Sequence, residues 1–95
     1  MNVKDVKKAL MTNRIFISTH AQIRMQKRGY RKKDIIACIM SAYSTQQQFI
    51  NGHRLRIVGF DADKLPMVVV VGKVKPNNYK IITVMPPIKK FKKAI

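Results

Sequence analysis

At about Thr45 the apolar residues of this chain stop recurring every three or four positions and begin to alternate. A helix repeats its buried face about every 3.6 residues and a strand every two, so this switch splits the chain into a helical half and a strand-rich half. In the first half, Val3, Val6, Ala9 and Leu10 predict a helix over residues 3–11, with Lys4, Lys7 and Lys8 on its other sides. The run Ile15-Phe16-Ile17 predicts one short strand or an extended lead-in. Ser18 and Thr19 are competent N-caps and Gly29 suits the position after a helix, which predicts a helix over 19–28. Asp34 favours the start of a further helix, whose buried stripe is Ile35, Ile36, Ile39, Met40 and Tyr43.

The second half reads as a meander. A strand near 46–50 leads to Asn51-Gly52, a strong hairpin signal. The return strand 53–60 sorts His53, Leu55 and Ile57 onto one face and Arg54, Arg56 and Val58 onto the other. Asp61 to Lys64 makes a polar turn. Met67 to Val71 is a continuous apolar run, as expected of a central strand covered on both faces. Lys75 to Asn78 turns the chain again, Tyr79 to Met85 forms the last strand with Tyr79 and Thr83 on one face, and Pro86-Pro87 stops it. The expected fold class is α+β: short helices packed on an antiparallel sheet of about four strands, in two layers. Residues 1–95 make a single domain, with a core over about 15–86 and a basic tail over 87–95.

Charge narrows the function. The chain carries 20 Lys and Arg against 4 Asp and Glu, a formal net charge of +16. Such self-repulsion suits a polyanionic partner. Asp5, Asp34, Asp61 and Asp63 are scattered along the sequence, which argues against a metal cage or a pair of catalytic carboxylates. Cys38 is the only cysteine, so internal disulfides and thiolate zinc sites are excluded and a reducing, cytoplasmic setting is expected. No apolar run is long enough to span a bilayer, and the N-terminal stretch lacks the apolar region of a signal peptide. No metal and no cofactor are expected.

His20, Arg24 and Arg28 stand four residues apart and share one face of the second helix. Guanidinium groups bind phosphate in a bidentate fork, and almost no acid in the chain is available to oppose this stripe. Without a ligand it is a solvated helix face. Arg54 and Arg56 project from one side of a strand and, with Lys80, would cradle a phosphate backbone; Tyr79 and Thr83 stand nearby in sequence. Lys89 and Lys90, in the tail, add long-range attraction to nucleic acid. Two functions compete. One is a metal-independent endoribonuclease, with His20 as base. The other is a non-catalytic basic module that binds nucleic acid or an acidic protein. A membrane-surface protein ranks behind both, since the tail offers only Ile88, Phe91 and Ile95 as apolar anchors.

The motif Ser18-x-His20-Ala21-x-x-Arg24-Met25-x-x-Arg28-Gly29-Tyr30, followed by Asp34-Ile35, resembles the N-terminal signature of the domain-of-unknown-function family 4258. Val58-Gly59-x-Asp61 and Ile82-Thr83-Val84 resemble the same family, so the likeness spans about residues 15–86. That family is grouped with RelE-type and BrnT-type toxins among the barnase, EndoU, colicin and RelE ribonucleases. The resemblance implies a RelE-like two-layer fold and a metal-independent ribonuclease. It carries His20, Arg24, Arg28 and Thr83 over as site residues. Its implied partners are RNA, including ribosome-bound mRNA, and an acidic antitoxin or immunity protein.

Overall fold

The computed structural model of the protein describes residues 1–49 and 51–87. In chain order its elements are α1 (Val3–Met11), β1 (Ile15–Ile17), α2 (Thr19–Arg28), α3 (Lys32–Met40), β2 (Ser44–Gln48), β3 (Arg54–Phe60), β4 (Pro66–Lys75) and β5 (Asn78–Met85). The strands form one sheet in the order β1-β5-β4-β3-β2. β2 to β5 are the expected antiparallel meander. β1 joins as a fifth strand, parallel to β5, with Ile15 opposite Tyr79 and Ile17 opposite Ile81. The fold is therefore α+β, as expected, with a mixed sheet of five strands in place of an antiparallel sheet of four. Three residues cannot display a period, and β1 owes its strand geometry to pairing with the far end of the chain.

Local chemistry sets the helix ends. The Asn2 side chain accepts the Asp5 N–H (2.9 Å) at the start of α1. Ser18 Oγ accepts the Ala21 N–H (3.1 Å) at the start of α2, and Gly29 closes that helix with a φ of 73°. The Arg31 N–H donates to Asp34 Oδ2 (2.8 Å) at the start of α3, the reciprocal half of a capping box.

All three helices lie against one face of the sheet. Val6 and Ala9 of α1, Ala21 of α2, and Ile35, Cys38 and Ile39 of α3 form one buried cluster with the strands. The sheet contributes Leu55, Ile57, Met67, Val69, Val71, Tyr79, Ile81 and Val84. Each large apolar side chain removed from water contributes about 1.5–3 kcal/mol, so this cluster drives folding. α3 comes very close to β3: a Cβ added at Gly59 would stand 2.1 Å from the Cys38 carbonyl oxygen. β4 is central, and every residue from Met67 to Gly72 is buried. No helix among the described residues is long and apolar enough to cross a membrane.

One irregularity decides which side chains reach the other face. Val70 faces Thr83 across the β4–β5 pairing, but the next residue, Val71, faces Ile81. Ile82 is the extra residue of a β-bulge. Its side chain lies over Gly72, whose added Cβ would meet Ile82 Cδ1 at 2.7 Å.

Candidate nucleic-acid interface

Alternation on β3 sends Leu55 and Ile57 into the core, so Arg54, Arg56 and Val58 point to the opposite face, away from the three described helices. Strand pairing then lines up two rows across that face. The first runs Gln48, Arg54, Gly72, Lys80 and Phe16, one residue from each strand. The second runs Gln46, Arg56, Val70 and Thr83. Lys80 and Phe16 are exposed, while Arg54, Arg56 and Thr83 are half-buried. Gly72 separates Arg54 from Lys80, so these two cations stand two strand spacings apart, about 10 Å, rather than on neighbouring strands.

Arg54 is held unusually. Its Nε is buried and, among the described residues, has no hydrogen-bond partner. A buried donor left unpaired costs about 1–3 kcal/mol, so Arg54 keeps its place on β3 against a penalty.

α2 borders this face. β1 stops pairing with β5 at Ile17 and Ile81; beyond that point α2 packs on β5. Ser18 is the pivot: its N–H donates to the Ile81 carbonyl (3.1 Å) and its hydroxyl to the Ile82 carbonyl (3.3 Å). His20, two residues after Ser18, and Thr83, one after Ile82, thus come to the same border of the sheet. His20 and Arg28 are exposed and Arg24 is half-buried beside the core residue Ala21. Among the described residues no hydrogen bond or ion pair holds the side chain of any of the three.

Other candidates fall elsewhere. Tyr79 is only 4% exposed inside the core, on the face opposite Thr83. Simple alternation puts the two together; the Ile82 bulge separates them. Burial, with Asp5 as the second cause, raises the Tyr79 hydroxyl above its ordinary pKa, and its position removes it from the basic face. Lys89 and Lys90 lie outside the described residues. His53 stacks on Phe49 (centroids 4.8 Å apart, planes at 10°) and hydrogen-bonds Gln47, a structural role at the hairpin. Cys38 is no nucleophile: burial pushes its thiol up to about 12, and Sγ donates to the Met67 carbonyl (3.3 Å).

The carboxylates are less scattered than they look in sequence. Asp34, Asp61 and Asp63 gather with oxygens within 4.8 Å of one another. Arg31 bridges Asp34 and Asp63 at 3.2 Å each, and Asp34 also accepts the Ala62 N–H (3.0 Å). Burial alone would raise the Asp34 carboxyl, but hydrogen bonds from the Arg31 backbone and side chain and from Ala62 outweigh it and hold the group below its ordinary range. The donors present are an arginine and backbone amides, which makes this a clamp between α3 and the β3–β4 turn rather than a metal centre. Nothing in local sequence announces a contact between residues so far apart.

Residues 17–86 match the family model described as Domain of unknown function (DUF4258). No curated protein and no solved structure matches the chain. The match covers most of the chain and includes α2, α3 and strands β2 to β5, so the protein belongs to that family.

Proposed function

We propose that this member of the family binds RNA across the sheet face opposite its described helices and cleaves it without a metal ion. The observation that carries the reading is the row Thr83, Val70, Arg56 and Gln46, which starts at the border where Ser18 anchors His20. A phosphodiester lying along that row meets the Arg56 guanidinium and, at the Thr83 end, the start of the helix that carries His20.

The chemistry is intramolecular transfer. His20 accepts the proton of a ribose 2′-OH as that oxygen attacks the adjacent phosphorus. A P–O2′ bond forms, the P–O5′ bond breaks, and the leaving 5′-oxygen takes a proton from Lys80 or from water. The products are a 2′,3′-cyclic phosphate and a 5′-OH end. Arg24, Arg28 and Arg56 stabilise the charge that builds on the non-bridging oxygens, each worth about a hundred- to a thousandfold in rate when correctly aimed.

Incubation of the protein with RNA in excess chelator, with product ends analysed, tests this. Wild type yields cyclic phosphate ends; His20→Ala and Arg24→Ala each lose at least about a hundredfold. Cleavage at the wild-type rate by both variants overturns the assignment. A second reading, an RNA-binding module without catalysis, is favoured by one observation: nothing among the described residues orients the His20 ring. Salt-sensitive binding by wild type with no product after long incubation selects it.

A further inference from the structure

The row that crosses all five strands ends on an aromatic ring. Phe16 lies opposite Lys80, Lys80 opposite Gly72, Gly72 opposite Arg54, and Arg54 opposite Gln48. Ile15 and Ile17 pack on the core, so alternation sends Phe16 to the basic face, where it is 52% exposed. Burying that ring in the core would have been favourable. It stands instead one strand spacing from a lysine, on the face with Arg54 and Arg56.

We infer that Phe16 is a stacking platform for an unpaired nucleobase, and that the RNA taken by this face is single-stranded. The inference rests on the RNA-binding reading above and specifies its ligand. A duplex offers a protein mainly phosphates and sugar edges and keeps the faces of its bases stacked inside, so it leaves an exposed phenyl ring uncovered. A single strand offers both components of the row: phosphates for Lys80 and Arg54, and a flat base for the ring between β1 and solvent. The charge of the chain, +16, selects a polyanion over an apolar peptide as the occupant of this ring.

The test compares wild type, Phe16→Leu and Phe16→Trp on a labelled 12-nucleotide single strand with 2′-O-methyl riboses, which cannot be cleaved, and on a blunt 12-base-pair duplex of the same chemistry. Phe16→Leu lowers single-strand affinity about five- to a hundredfold. Its salt slope stays that of wild type, because no phosphate contact is lost. Phe16→Trp retains the affinity, and duplex binding is the same in all three proteins. The site is exposed, and matching melting curves confirm that the variants are folded. Equal single-strand affinity for Phe16→Leu and wild type overturns the platform while leaving RNA binding intact. Preference of wild type for the duplex, or for an acidic peptide over either RNA, also overturns it. Absence of any RNA binding by wild type overturns the underlying reading as well.

Discussion

Arg54 sets binding against stability in a single side chain. Its Nε is buried, and no acceptor among the described residues meets it. Its neighbours in register are the uncharged Gln48 and Gly72, which offer no counter-charge. Replacing it by a side chain of similar length without the charge removes both the unpaired donor and part of the self-repulsion. Arg54→Met is therefore expected to raise the free energy of unfolding by about 1–2 kcal/mol, read from the urea midpoint, while weakening RNA binding. A variant that is less stable than wild type contradicts this account. The same reasoning explains why the arginine was visible in the sequence as a candidate and its strain was not. Position on a strand gives the face by alternation, but burial of one nitrogen depends on what lies beside it in the folded sheet.

At the scale of elements, the clamp at Asp34 ties the start of α3 to the turn between β3 and β4. Its folded pKa lies below the unfolded value, so ionised Asp34 contributes stability that is fully present above about pH 4 and is lost as pH falls through the folded value. Asp34→Asn is expected to cost about 1–3 kcal/mol at neutral pH. The cost should shrink steadily in urea titrations below about pH 4, as the wild-type carboxyl protonates. A gap that stays constant to low pH would show that the carboxylate charge is not what holds the clamp. Elements were legible in proportion to how local their causes are. The span of α2 follows from Ser18 and Gly29, and the two arginine positions follow from alternation on β3. β1 needed β5 to exist, the Ile82 bulge put Thr83 and Tyr79 on opposite faces, and three aspartates met only through the fold.

For the whole molecule, a charge of +16 on 95 residues makes the folded state repel itself. Raising sodium chloride from about 10 to 200 mM is expected to raise the melting temperature, because the screening length falls from about 30 Å to below 10 Å. Over the same range RNA affinity should fall, with a log–log slope of about −0.7 per phosphate contacted on a single strand. A melting temperature that drops with salt would argue against net repulsion. The placement of the clamp adds a consequence of its own. Asp61 follows the last residue of β3 and Arg54 is its first, so the strand's seven residues, about 20 Å, separate the carboxylates from the Arg54–Lys80 row. Three of the chain's four carboxylates are thus held at the far end of β3, two of them already paired with Arg31. The cations of the row carrying Phe16 therefore have no acid beside them in register, and their charge is left for a phosphate backbone to neutralise.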